Sequence, residues 1–336
     1  MKMNITNLYG MASYSTAQRA QQETAKFARE LGANELGIYF YDVKVDSDKE
    51  METRLDGVNA SLQVGDMLIF QMPTWNGYRF DKAYLNRIQA YGLRLAIFVQ
   101  DTAALMFKVN REWLRPYVDL YNQADVLILP GKAMEERLRK EGLTVTNVVY
   151  QEMWDRRLTF NPPMATFAKE LTFTGSQERF PFTKQWHYPT KLRLYAQDAK
   201  VDPAQNIDYM GYKRDADLVR ELNRGFGLCW SVDTEGRPER QYSRLNASFK
   251  LSTYLAAGMP VVANADISSA GLIKKYGLGL LAPDLQTASE LVQNCTPAEY
   301  QQMAKRVHQY GYLLRQGANF KRVYFETMIK LMMTEK

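Results

Sequence analysis

Asn246, Lys250 and Thr253 recur at i, i+4 and i+7 in Asn246-Ala-Ser-Phe-Lys250-Leu-Ser-Thr253-Tyr254-Leu-Ala-Ala-Gly258-Met-Pro260-Val-Val262, so a helix over 246–257 would present them on one face. Ala256 and Ala257 allow close packing, Gly258 would stop the helix, and Pro260 opens the next strand. Such a helix suits a diphosphate, with Lys250 neutralising charge and backbone N–H groups donating. An ordinary amphipathic helix with a solvated lysine has the same spacing. Arg179 stands one helical turn beyond Gly175-Ser176 and could fork onto a diphosphate through two parallel hydrogen bonds, or simply stand exposed. Asp101 follows the apolar run 94–100, where a carboxylate could act as a general base or cap a helix over 102–107. Gly10-Met-Ala-Ser-Tyr14-Ser15-Thr16 sets a glycine and hydroxyls before a helix N-terminus, which suits a phosphate, an acceptor sugar or a plain cap. Pro73-Thr74-Trp75-Asn76-Gly77 offers an aromatic platform and an amide for a sugar face, with a structural loop as the alternative.

Two Asp-x-Asp triplets, Asp46-Ser-Asp48 and Asp215-Ala-Asp217, have the form of a cation site. The first lies in a charged loop ending Lys49-Glu50 and the second opens a helix, where acids suit the dipole. Both read as structural, so no metal is expected. His187 and His308 lie too far apart in the chain to suggest a multi-histidine metal site.

The elements that would position these residues alternate. Strands are predicted at 3–9, 36–42, 67–72, 94–100, 125–129 and 146–150, with helices at 16–31, 79–91, 111–123 and 132–141. The alternation breaks near 155–165, where Pro162-Pro163 can continue neither element. It restarts with strands at 170–174, 192–197, 207–211, 226–231, 260–264 and 278–282 and helices near 215–224, 246–257, 268–276 and 284–294, and ends in helices from about 297. Continuous apolar strands separated by helices predict parallel sheets covered on both faces, hence an α/β chain of two doubly wound, Rossmann-like domains facing across a cleft. In such sheets ligands sit at the carboxyl ends of strands, near topological switch points.

A length of 336 residues agrees with two domains. With 46% hydrophobic and 24% charged residues the chain is a folded globular protein. A net charge of +6 without a concentrated basic face argues against nucleic acid. From Arg306 onward, Arg306, Arg315, Lys321, Arg322, Lys330 and Lys336 outnumber Glu326 and Glu335, which suits a solvated helix face, acidic phosphates or a membrane surface. Cys229 and Cys295 are too few for a disulfide framework, so a reducing cytoplasm is the expected location. No signal-peptide core and no stretch long enough for a membrane span is present.

Lys-x-x-x-Tyr-Leu-Ala-x-Gly-x-Pro-Val-Val, from Lys250 to Val262, resembles the nucleotide-sugar-binding helix of glycosyltransferases of the two-domain GT-B architecture, and the resemblance extends over essentially the whole chain. Within that class the chain is similar to the family that places the second sugar on GlcNAc-modified serine-rich repeat adhesins of streptococci and lactobacilli. Gly175-Ser-Gln-Glu-Arg179, Tyr209-Met-Gly-Tyr212 and the Lys250 helix resemble that family's nucleotide-sugar pocket. The resemblance implies a UDP-sugar site at Thr16, Gly175, Ser176, Arg179, Tyr212, Asn246, Lys250 and Thr253, with Tyr212 against the uracil or a phosphate. It implies an acceptor site at Tyr14, Thr74, Trp75 and Asn76. Asp101 would be the catalytic base; the similar enzymes often have His before that Asp, where Gln100 stands here. Many GT-B enzymes carry Glu where Thr253 and Leu245 stand, so ribose recognition must differ.

The implied reaction is metal-independent transfer of glucose or GlcNAc, with inversion, from a UDP-sugar to protein-linked GlcNAc. Residues 1–160 would hold the acceptor, 161–312 the nucleotide sugar, and 313–336 a helix packing back on the first domain or between subunits of a homo-oligomer, a tetramer in the similar family. A UDP-sugar epimerase of similar fold and a non-catalytic subunit binding glycosylated adhesin are the rival readings.

Overall fold

Continuous apolar runs flanked by helical segments leave each strand two faces to bury, and β-branched and aromatic residues fill them. The computed structural model describes residues 1–12 and 14–334, so Ser13 of the first loop and Glu335 and Lys336 of the basic tail lie outside the described residues. The chain divides into two units: Met1–Glu152 with Gly236–Pro238 and Asn319–Lys336, and Met153–Glu235 with Glu239–Ala318.

In the first unit, Met3–Tyr9 (β1), Asn34–Tyr39 (β2), Met67–Met72 (β3), Arg94–Val99 (β4), Val126–Leu129 (β5) and Val148–Tyr150 (β6) form one parallel sheet in the order β2-β1-β3-β4-β5-β6. Strands β3 and β5 are buried throughout. Helices Thr16–Glu30 (α1), Asp48–Asn59 (α2), Tyr78–Gln89 (α3), Ala103–Met106 (α4), Leu114–Tyr121 (α5) and Lys132–Arg139 (α6) connect them. The order reverses between β1 and β3, so the loops after those two strands, which hold Tyr14 and Trp75, flank the switch point. Three glutamines tie that edge together. Gln21 Nε2 donates to Pro73 O at 2.8 Å, Gln71 Nε2 donates to Gln21 O at 3.1 Å, and Gln100 Nε2 donates to Gln71 Oε1.

Helix α2 occupies what the sequence suggested was a charged loop. Ser47 caps it in a reciprocal capping box with Glu50, and only Met51, Leu55 and Asn59 are buried. Asp46, just ahead of it, accepts from Tyr41 Oη at 2.6 Å and from Arg54 Nε at 2.9 Å.

In the second unit, Thr166–Thr174 (β7), Lys191–Tyr195 (β8), Ile207–Tyr209 (β9), Arg224–Cys229 (β10), Val261–Asn264 (β11) and Gly279–Ala282 (β12) form a second parallel sheet, ordered β12-β11-β10-β7-β8-β9. Its switch point lies between β7 and β10. The helices are Asp215–Glu221 (α7), Glu239–Ser243 (α8), Phe249–Ala256 (α9), Ala270–Tyr276 (α10), Leu285–Asn294 (α11) and Pro297–Arg315 (α12). Asp215 and Asp217 open α7 as expected, and both Asp215 carboxylate oxygens accept from Arg156 Nη2 at 2.7 and 2.6 Å.

The last helix, Ala318–Met333 (α13), belongs to the first unit: Arg94 Nη1 donates to Leu331 O at 2.6 Å, and the Phe98 and Phe320 rings stack at 6.2 Å. The sequence boundary at 313 falls inside α12, which runs on to Arg315.

Helix α12 clamps α9 from outside. Arg315 Nη1 donates to Ala256 O at 2.8 Å, satisfying a carbonyl of the last turn of α9. A Cβ at Gly311 would stand 2.4 Å from Leu255 O, a backbone atom with nowhere to move. Gly311→Ala is therefore expected to destabilise the second unit by about 1–3 kcal/mol, the range for overpacking, read as a fall in its thermal midpoint; an unchanged midpoint would show that α12 does not fix α9.

Candidate functional site

Strand β7 ends at the switch edge with Phe173 and Thr174, and the chain turns at Gly175, whose φ is +155°. A Cβ there would lie 2.9 Å from the Phe180 ring and 3.1 Å from Phe173, so glycine is what lets these rings close on each other. They meet edge to face at 5.0 Å. Lys250, one turn into the space beside them, sets its ammonium 3.8 Å from the Phe173 centroid and 4.1 Å from that of Phe180.

Tyr254 places that lysine. Four residues on along α9, it stacks over Gly227 of β10, where a Cβ would come within 2.4 Å of Cγ, and its hydroxyl accepts from Thr174 N at 3.1 Å. Gly258 ends the helical segment at φ +85°, with Met259 N donating to Tyr254 O at 3.0 Å.

Among the described residues the Lys250 ammonium makes no hydrogen bond and no close ion pair; two ring faces lie against it. Burial pushes its pKa down to about 7, with the Arg179 charge adding to the fall and the Cys229 thiol and Glu239 opposing it. Cys229, buried at the end of β10, is itself pushed up by burial, with Lys250 as the chief opposing influence. Ser248, the N-cap residue of α9, makes no side-chain cap bond among the described residues, while Leu251 N donates to its carbonyl at 3.0 Å.

Arg179 shares the Phe180 ring, its guanidinium carbon 5.2 Å from the centroid. It is not a bare exposed arginine. Nε and Nη2 donate to the two carboxylate oxygens of buried Glu239 at 2.7 and 2.9 Å, and its backbone N donates to Ser176 Oγ at 3.4 Å. Sequence reasoning missed Glu239, Phe173 and Phe180. Glu239 lies sixty residues from Arg179, and no local pattern marks the pair.

The one-face placement of Asn246, Lys250 and Thr253 does not hold. Helix α9 begins at Phe249, and Asn246 precedes it, buried, donating through Nδ2 to Tyr242 Oη at 3.0 Å. Thr253 Oγ1 donates to Phe249 O at 3.0 Å within the helix. Tyr212 follows Gly211, which has φ +70°, and is 54% exposed.

In the first unit, Ser15 caps α1 through Gln18 N, leaving Thr16 exposed in the first turn and Tyr14 70% exposed before it. Thr74 and Asn76 are buried: Thr74 Oγ1 donates to Asp81, and Asn76 accepts from Tyr41 N and donates to Tyr39 O, each at 3.0 Å. Their polar groups are engaged inside the unit, whereas Trp75 between them is half-buried at φ +63°. Asp101 follows β4 and is half-buried; Thr102, not Asp101, occupies the N-cap position of α4. Among the described residues no group of three or more His, Cys, Asp or Glu could hold a metal ion.

Residues 2–153 match the family model described as glucosyltransferase 3-like, N-terminal domain, and 171–327 match glucosyltransferase 3-like, C-terminal domain. The chain is 41% identical over 333 residues to Glucosyltransferase 3 of Streptococcus gordonii, covering 99% of this chain and 100% of that one. It is 36% identical over 331 residues to Glucosyltransferase 3 of Streptococcus parasanguinis, covering 98% and 99%. Among solved structures it resembles the Anabaena protein HepE in complex with UDP and glucose (TM-score 0.64, 12% identity, 97% and 99% covered). It also resembles sucrose-phosphate synthase from Thermosynechococcus elongatus (TM-score 0.67, 11% identity, 98% and 100% covered). The fold is GT-B.

The buried ammonium has a measurable signature. Unfolding returns Lys250 to an ordinary lysine pKa near 10.5, so between about 7 and that value the unfolded state binds more protons and stability rises with pH. Ligand-free Lys250→Met is therefore expected to be more stable than the parent near pH 6, by about 1–3 kcal/mol, with the gap closing toward pH 9. Inorganic diphosphate should raise the melting temperature of the parent and not of the variant. A variant less stable than the parent near pH 6 would mean that the ammonium is compensated.

Proposed function

The chain belongs to the glucosyltransferase 3-like family, and from that membership we propose that it transfers glucose from UDP-glucose to protein-linked GlcNAc on a serine-rich repeat adhesin, without a metal and with inversion. It is a UDP-sugar-dependent glycosyltransferase of GT-B fold. Glucose is preferred to GlcNAc as donor because both curated relatives are named glucosyltransferases.

The observation that carries this reading is the Lys250 ammonium, seated on two aromatic faces beside Arg179 with no carboxylate of its own. A cationic, partly desolvated niche at a switch point, on a helix whose N-cap serine makes no side-chain cap bond among the described residues, suits the diphosphate of a nucleotide sugar. As the bond from the sugar to the diphosphate breaks, negative charge grows on the leaving oxygen, and Lys250, Arg179 and the first N–H groups of α9 would stabilise it. Gly175 and Ser176 would line the same loop, and Tyr212 would stack on the uracil. Asn246 and Thr253 would act by shaping the pocket, since their side chains bond inside the unit.

Tyr14 and Trp75 would carry the acceptor sugar, with Thr74 and Asn76 holding the Trp75 turn. Asp101 would take the proton from the attacking GlcNAc hydroxyl. A homo-oligomer, a tetramer in this reading, is supported by Phe325, Ile329 and Met332, which lie exposed at helical spacing along α13. No helix among the described residues is long and apolar enough to cross a membrane. A cytoplasmic location is supported by Cys229 and Cys295, both free and buried, which suit a reducing compartment.

The purified protein with a panel of UDP- and GDP-sugars, with and without a GlcNAc-serine peptide and EDTA, is expected to release UDP from UDP-glucose only when the acceptor is present, unaffected by EDTA. UDP binding without release from any donor would instead identify a non-catalytic subunit. Lys250→Ala should weaken UDP binding at least tenfold, about 1.5–3 kcal/mol for a lost charge-assisted bond. Asp101→Asn should abolish transfer and spare UDP binding; near-normal turnover would remove Asp101 as the base.

A further inference from the structure

Beneath the Trp75 loop lies a carboxylate with no countercharge. Asp81, in the first turn of α3, is 0% exposed. Three donors converge on it: Thr74 Oγ1 at 2.5 Å and Thr74 N at 3.3 Å on Oδ1, and Tyr117 Oη at 3.0 Å on Oδ2. The titratable groups facing it are Tyr117 and Tyr121 of α5, and no lysine, arginine or histidine among the described residues bears on it. The Tyr121 hydroxyl is pushed up by burial and, to a lesser degree, by the charges of both Asp81 and the candidate base Asp101.

The direction of these bonds is fixed. Thr74 Oγ1 accepts from Asn76 N at 3.3 Å, and it donates its proton to Asp81 because an ionised carboxylate can only accept. Asn76 in turn is pinned through its amide to Tyr39 O and Tyr41 N. Trp75 is thus held from both sides in the left-handed region at φ +63°, a conformation that a bulky residue keeps only where its surroundings impose it. A neutral acid would bring an O–H of its own into a site already filled with donors. One hydroxyl, of Thr74 or of Tyr117, would then have to turn away from it.

We propose that Asp81 is the positioning residue of the acceptor loop: its carboxylate holds Thr74 and thereby the turn at Trp75, and protonation releases that turn and weakens acceptor use. This rests on the reading of the Trp75 loop as the acceptor surface. Burial, the largest influence, pushes the pKa of Asp81 up to about 6 against the lowering effect of Thr74 and Tyr117, so the release falls in mild acid.

Trp75 reports on its own turn. Subtracting the fluorescence of Trp75→Phe from that of the full chain removes the other tryptophans, and the difference spectrum is expected to shift between about pH 7.5 and about pH 5.5 with a midpoint near 6. Asp81→Asn should abolish that midpoint. Thr74→Val, which leaves Asp81 in place and cuts only the hydroxyl link, should abolish the response of Trp75 in a folded chain. A midpoint that persists in both variants, or no transition in the parent, overturns the inference. In the transfer assay, KM for the GlcNAc-serine peptide should rise roughly fourfold over the same interval, the fall in ionised fraction of a group titrating at about 6, and stay flat in Asp81→Asn. A fluorescence transition that depends on Asp81 with a flat KM in the parent would instead overturn the assignment of this loop to the acceptor.

Discussion

An ammonium held against two phenylalanine rings, with Glu239 acting on it only from a distance, is the constraint around which the second unit is arranged. The ring faces compensate such a charge only in part, by about 1–2 kcal/mol, so the fold must hold Lys250 there by other means. Tyr254 does so from the same helical segment, locked over Gly227 and bonded to Thr174. Gly175 lets Phe180 close on Phe173, and the Arg315 bond to Ala256 secures the far end of α9. Each feature makes sense as support for a charge that water would otherwise solvate, and each would be superfluous if Lys250 were an ordinary surface lysine. Stability is given up locally for a prepared electrostatic environment, the compromise expected where function requires strain.

The first unit solves a different problem with the same topology. Its switch edge is tied by amides and hydroxyls, with carboxylates as the only charges the reading uses there: the Gln21, Gln71 and Gln100 chain ties β3, β4 and α1 together, and Thr74, itself bonded to Asp81, and Asn76 tie the loop after β3 to the chain after β2. An edge built chiefly of amides and hydroxyls, with no cation in its network, suits an uncharged ligand such as a sugar, whose recognition depends on hydrogen-bond geometry and on a flat apolar face. The division of labour, with cations in one unit's site and none in the other's network, is visible in the side chains at the two switch points.

The alternation of strands and helices was legible because β3, β5 and β11 are buried on both faces and so read as unbroken apolar runs. Helix α2 was not, since it buries only Met51, Leu55 and Asn59 and its surface is charged; the capping-box pattern Ser47-x-x-Glu50 was the signal available. The Lys250 motif was legible as a helix with a glycine stop, but its start was misplaced. Residues 246–248 carry no sequence mark of the turn that sets Asn246 apart from the helix. The partners of the site residues were beyond reach for a simpler reason. Glu239 with Arg179, and Phe173 and Phe180 with Lys250, are contacts made by the fold across dozens of residues. The partners of Thr74 and Asn76 were hidden likewise, because residue type says what a side chain can bond and not which neighbour it has bonded.

The two cations of the second unit are therefore not equivalent, although residue type makes them look like a pair. Arg179 is already forked onto Glu239, and a diphosphate competing for the same guanidinium must either displace that carboxylate or approach from a face the fork leaves open. Two unit charges 4 Å apart interact by about 4 kcal/mol at an effective dielectric constant near 20, so displacement forfeits most of what the new contact brings. Lys250 has no such prior claim, and an anion beside it recovers attraction and relieves its desolvation together. Lys250 is thus suited to supply affinity. Arg179, fixed in direction by Glu239, is suited to orient what Lys250 attracts, with Phe180 under both cations as the common floor that fixes the distance between them.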